Sequence, residues 1–114
     1  VSFYPGCTAC QRKADRLHPY APLLILIGDN DDWTPAAPCK ALVATVAARH
    51  EPMQIITFAD TFHDFDNPAL KTKRVRTDVP NGVNPGSGVT VAPNPEAREA
   101  AKGHVLRFFS EHLK

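Results

Sequence analysis

One methionine, one tryptophan and three cysteines are all that these 114 residues contain of those types. The longest apolar run, Leu23 to Ile27, falls far short of the ~20 residues that a membrane-spanning helix needs. Charge of either sign is in no excess. Thirteen Lys+Arg against twelve Asp+Glu leave +1 with His neutral, so nothing electrostatic argues for nucleic acid or an anionic membrane as partner. Three cysteines are few and odd in number, which argues against a disulfide scaffold and for a reduced, cytoplasmic setting. The one Met, Met53, lies mid-chain, and the sequence opens on a β-like run without a charged or signal-like segment. Residues upstream of Val1 are therefore expected to be missing. What is plentiful is proline, with eleven against six glycines, so turns are many and a long helical bundle is excluded. With 43% hydrophobic and 22% charged residues the chain is ordinary for a globular fold, as one small domain or part of one.

Three apolar runs read as strands: Val1 to Tyr4, Leu23 to Ile27 and Met53 to Phe58. The second is continuous rather than alternating, as a strand covered on both faces reads. Two helices are expected. One runs from about Pro38 to His50, with Leu42, Val43, Val46 and Ala47 on its inward stripe. The other runs from Pro95 to about Leu113, capped by Asn94, with Pro95 at its first position and Glu96 at the positive end of its dipole. Its buried face is expected to hold Ala97, Ala101, Val105, Phe108, Phe109 and Leu113. Residues 11–21 have no clear pattern. Residues 68–93 read as a long loop whose basic stretch (Lys71, Lys73, Arg74, Arg76) is solvated. Strand, helix, strand, helix order predicts an α/β layer with about three parallel strands, open at its edges.

Ligands of open parallel sheets sit at the carboxyl ends of the strands. Two such ends are rich in Asp and His. After the second strand comes Gly28-Asp29-Asn30-Asp31-Asp32-Trp33-Thr34-Pro35, and after the third Asp60-Thr61-Phe62-His63-Asp64-Phe65-Asp66. Parallel strands put both loops on one rim, where Asp31 and His63 come within reach. A carboxylate beside His fixes its tautomer and stabilises the imidazolium, as a general base for a Ser or Cys nucleophile requires. No G-x-S-x-G or G-x-C-x-G turn occurs in these residues.

Leu24-Ile25-Leu26-Ile27-Gly28-Asp29-Asn30-Asp31-Asp32-Trp33-Thr34-Pro35 resembles the acid-loop segment of the dienelactone hydrolase family of α/β-hydrolases. His63-Asp64-Phe65 resembles that family's His followed by a small or polar residue and Phe. Val1 to Gly6 is similar to the strand after the nucleophile helix, and Glu96 to Lys114 to the closing helix. The resemblance spans residues 1–114 and implies the C-terminal part of an α/β-hydrolase domain. It implies Asp31 as triad acid and His63 as base, with Trp33 and Phe65 walling a pocket for an ester- or lactone-type small molecule. It implies no metal and no organic cofactor. The nucleophile and the oxyanion donors match nothing here, so the chain by itself is expected to be inactive. The alternative is a non-catalytic domain that self-associates through its open strand edge, Val1 to Tyr4.

Several other groups carry a blander account. Asp29 and Asp32 read as turn residues, and His18, His50, His104 and His112 as structural or solvent-facing. Cys7-Thr8-Ala9-Cys10 has redox spacing but polar residues and Pro19 follow it, so burial or chance accounts better for Cys7, Cys10 and Cys39. Asp29-Asn30-Asp31 lacks the following residue of a phosphatase D-x-D, and the carboxylates fit no EF-hand spacing.

Overall fold

The run Leu23–Gly28 forms a strand, β2, because apolar cover reaches it from both sides. A computed structural model describes residues 1–114. β2 is the middle of a three-stranded parallel sheet, between β1 (Ser2–Phe3) and β3 (Met53–Phe58). Leu23 lies opposite Met53 and Gly28 opposite Phe58, so β2 and β3 end level with each other. Side chains alternate across β2. Ile25 and Ile27 join Cys39, Leu42, Val43 and Val46 of helix α2 (Ala36–Ala47) in one core. Leu24 and Leu26 join Phe65 and, from helix α3 (Pro95–His112), Ala97, Ala101 and Phe108 in the other. The expected three-strand parallel α/β layer is therefore present, with a helix on each face.

The helices start where local chemistry lets them. Asn94 caps α3, its side-chain oxygen accepting from the Ala97 N–H at 3.0 Å, with Pro95 in the first turn. α2 begins at Ala36, two residues before the expected Pro38. Pro38 still falls in the first turn, where an N–H has no helical partner to lose. α2 stops earlier than expected, at Ala47, and His50 follows at φ 60°. Ala47 is exposed. The stripe on α3 is also narrower than expected. Ala97, Ala101 and Phe108 are buried, but Phe109 and Leu113 face solvent, because the last turns of α3 have no partner on that side.

Residues 8–16 hold two short pieces, helix α1 (Thr8–Gln11) and a 3-10 turn at Ala14–Arg16. The expected loop over 68–93 contains two strands, β4 (Arg74–Arg76) and β5 (Val89–Val91), paired antiparallel with Arg74 opposite Val91. Three residues each is too short for an alternating pattern to show. The readable signal was Val89-Thr90-Val91, a β-branched run between Gly88 and Pro93.

The cysteine reading needs correction. Cys7 and Cys39 form a disulfide, and Cys10 is a free, exposed thiol. The odd count arises from one bond plus one leftover. The bond ties the N-terminal end of α1 to the first turns of α2, and it removes the ground for expecting a reduced compartment. No helix is long and apolar enough to cross a membrane. The bond closes a loop of sequence separation 32. Loop-closure entropy gives such a bond roughly 3–4 kcal/mol. Urea unfolding is expected to give the oxidised protein a larger unfolding free energy than Cys39→Ser by about that margin, and coincident unfolding curves would refute it.

Candidate active site

Gly28 ends β2 where only a glycine fits. A Cβ there would lie 2.1 Å from the Thr61 carbonyl oxygen. The loops after β2 and β3 can thus touch, and the Asn30 N–H donates to that same carbonyl at 2.9 Å. Asp60 turns the chain after β3 at φ 51°, a conformation that Asp tolerates. Ala92 N–H then donates to the His63 carbonyl at 3.2 Å and Asn94 N–H to that of Phe65, so the stretch after β5 holds the His loop in line.

The two loops bring Asp31 and His63 together. His63 Nδ1 lies 2.8 Å from Asp31 Oδ2, with the Asp31 side chain fully buried and that of His63 11% exposed. Asp31 Oδ1 accepts from the Trp33 N–H at 2.9 Å and the Thr34 N–H at 2.7 Å. Thr34 Oγ1 stands 3.2 Å from Asp31 Oδ2 and 3.1 Å from His63 Nδ1. A buried carboxylate held by two main-chain N–H groups and a ring nitrogen is fully satisfied. The imidazole has two aromatic neighbours, Tyr4 at 4.1 Å and Trp33 at 4.4 Å between centroids. His63 Nε2 bonds to no group of the chain and is not sealed from solvent. The pair can therefore present a free ring nitrogen whose opposite edge is fixed.

The neighbouring acids do other work. Asp29 pairs with Lys40 at 3.0 Å on the surface. Asp32 accepts from the Thr90 N–H at 2.7 Å and hydroxyl at 2.8 Å, tying the acid loop to β5. Asp64 and Asp66 accept from the Tyr4 hydroxyl at 3.4 and 3.0 Å rather than meeting His63. The acids and histidines are not gathered into any metal-binding group. Trp33 sits at the site, its ring between His63 and the Arg76 guanidinium, 5.3 Å from its centroid. Phe65, expected at a pocket wall, is 1% exposed and packs among Phe3, Tyr4 and Phe58. Its side chain packs in the core beneath α3 with Leu24, Leu26 and Phe108; it is a core residue. A depression of about 440 Å³ lies between the end of β3 and the start of α3, and is not lined by Asp31 or His63.

Tyr4 and Thr34 escaped the sequence reading. Asp31-x-x-Thr34 is a turn spacing that hinted at the second; nothing local pointed to Tyr4, sixty residues from its partner Asp64. A parallel sheet with a rim-facing acid loop followed by a rim-facing His loop is the class of α/β-hydrolases. The chain belongs to the dienelactone hydrolase family, whose family model matches residues 1–113. No curated protein and no solved structure matches the chain. Family membership brings a hydrolase-like function, and the fold is a partial α/β-hydrolase fold.

Burial, then the Asp66 and Asp64 carboxylates, push the Tyr4 hydroxyl well above its ordinary value of 10.0. The neutral phenol is thus favoured in the folded state. Its contribution to stability is complete below the unfolded-state pKa and is lost as pH rises beyond it. Stability measured by urea unfolding is expected to fall above pH ~10 more steeply for the native chain than for Tyr4→Phe. Parallel curves would count against that linkage.

Proposed function

We propose that Asp31 and His63 are the acid and general base of a hydrolytic triad whose nucleophile is not among these 114 residues. The observation that carries the reading is the buried 2.8 Å contact between Asp31 Oδ2 and His63 Nδ1. The substrate class is an ester- or lactone-type carbonyl compound. The nucleophile, Ser or Cys, attacks the carbonyl carbon while His63 Nε2 takes its proton. The imidazolium so formed keeps its Nδ1–H on Asp31. Nε2 then returns the proton to the departing oxygen, and water repeats the cycle to release the acyl group. Trp33, flanking the imidazole, is the residue placed to wall the bound carbonyl compound.

The test supplies what the chain does not carry. The chain is combined with a nucleophile-bearing half from another member of the family, and p-nitrophenyl acetate hydrolysis is followed. Turnover is expected to be abolished by His63→Ala. Asp31→Asn is expected to lower it by about 10⁴-fold, because an amide can present an N–H to Nδ1 and reverse the tautomer. Activity that survives His63→Ala sinks the reading. The chain alone is expected to give no turnover above buffer. His63-dependent turnover by the chain alone would place the nucleophile within it.

One observation favours a second reading. β1 pairs with β2 on one side only, so its other edge is free, and self-association through Val1 to Tyr4 would cover it. Sedimentation of the isolated chain decides: a dimer supports that reading and a monomer at all concentrations rejects it. As to compartment, the Cys7–Cys39 disulfide supports an oxidising one in place of the cytoplasm.

A further inference from the structure

We propose that Thr34 and Tyr4 are positioning residues that lock the His63 imidazole in its Nδ1–H tautomer, leaving Nε2 as the free base; this rests on the catalytic reading of His63.

A threonine hydroxyl has one proton to donate and two lone pairs. Three groups surround Thr34 Oγ1: the Tyr4 main-chain carbonyl at 2.9 Å, His63 Nδ1 at 3.1 Å and Asp31 Oδ2 at 3.2 Å. The Tyr4 carbonyl and the Asp31 carboxylate can only accept; the carbonyl is the nearer, at 2.9 against 3.2 Å, and takes the hydroxyl proton, and with either acceptor the oxygen turns a lone pair to Nδ1. What Thr34 then shows His63 is a lone pair. Nδ1 faces two acceptors on one edge, Asp31 Oδ2 and Thr34 Oγ1. A ring nitrogen between two acceptors is stable only as N–H. The neutral ring must therefore carry its proton on Nδ1.

A base alternates between two forms of the ring, neutral with Nδ1–H and doubly protonated. Both donate from Nδ1. The third form, neutral with Nε2–H, is chemically useless here, and it alone is opposed by this edge. Thr34 thus discriminates between states rather than merely adding a contact.

Tyr4 makes the arrangement possible. It closes β1, its N–H donating to Leu26 at 2.8 Å, and then leaves the strand at φ 36°. Its carbonyl meets Thr34 instead of continuing the ladder. The same residue lays its ring against His63 at 4.1 Å, while Asp66 and Asp64 hold its hydroxyl. One residue therefore fixes both the direction of the Thr34 proton and one face of the imidazole. A backbone held in the left-handed region by a non-glycine residue is a local strain, and here it is used to aim a carbonyl.

The readout is spectroscopic. The full chain, labelled with ¹⁵N at histidine, is observed at mildly alkaline pH through the ring nitrogens of His63. The native protein is expected to show Nδ1 protonated and Nε2 unprotonated, with a slowly exchanging Nδ1–H. In Thr34→Val the Nε2 signal is expected to move toward the tautomer average, and the Nδ1–H to exchange with water about fivefold faster, as the loss of one hydrogen bond predicts. Thr34→Ser, which keeps the hydroxyl, is expected to restore both. If Thr34→Val lacks a folded amide spectrum, Thr34→Ala is read the same way. Native-like nitrogen signals and exchange in the hydroxyl-free variant overturn the proposal, and so does failure of Thr34→Ser to restore them. No turnover is needed, so this result is separate from the hydrolysis assay. Activity without His63 sinks the catalytic reading and leaves the spectra as they are. Unchanged spectra sink the positioning role and leave the assay as it is.

Discussion

The level ending of β2 and β3 is the constraint on which the site depends. Residue-by-residue pairing from Leu23 with Met53 to Gly28 with Phe58 delivers both outgoing loops to the same rim. The glycine at the end of β2 then lets the Thr61 carbonyl approach to a distance that any side chain would forbid. Slip the register by one residue and the core faces of β3 exchange, so the hydrophobic cover on the two faces fixes the rim as well. Packing far from the rim thereby sets a 2.8 Å contact on it. Asp31 and His63 are separated by more than thirty residues of chain yet share one frame.

Around that frame the polar groups form a closed set. The acids near the rim are divided among partners: Asp29 the Lys40 ammonium, Asp31 the imidazole, Asp32 the Thr90 main chain and hydroxyl, Asp64 and Asp66 together the Tyr4 phenol. Only one of the five nearby carboxylates meets His63, and the others serve as ties between elements. A local crowd of negative charge is thus divided into one group that meets the imidazole and several that meet other partners. The Cys7–Cys39 disulfide acts at the other end of the same segment. Cys7 lies three residues after Tyr4, and Cys39 lies in the first turns of the helix that follows the acid loop.

Much of this was legible beforehand. The strand Leu23–Gly28 declared its two-sided burial by lacking polar positions, and α3 declared its start through Asn94 and Pro95. Parallel strands put the two loops on one rim, and the resemblance to the family singled out Asp31 there over Asp29 and Asp32. What was hidden depended on long-range partners. β4 and β5 are too short for periodicity, and their pairing is visible only once each strand has found the other. A disulfide cannot be read from an odd number of cysteines when one remains free. Phe65 was misplaced because a residue two positions beyond a rim-facing His can turn inward as readily as outward. Phe109 and Leu113 were misplaced because periodicity does not tell where a helix outruns its sheet. Tyr4 could not be found locally, since its role rests on a carbonyl direction and on two acids sixty residues away.

The β4–β5 hairpin gives the rim a different property. β5 reaches the acid loop through Thr90 and the His loop through the His63–Val91 bridge and the Ala92 N–H. It is a strap fastened at both loops, and it ties the one to the other. The segment between the strands is mostly exposed and includes Gly86 at φ 87° with open space around it. Change of length is therefore tolerable around Gly86, but not at Gly82 and Val83, which meet the Asp32 carbonyl, nor within Val89–Val91. A lineage could lengthen or shorten the hairpin around Gly86 while the spacing of Asp31 and His63 stays as it is.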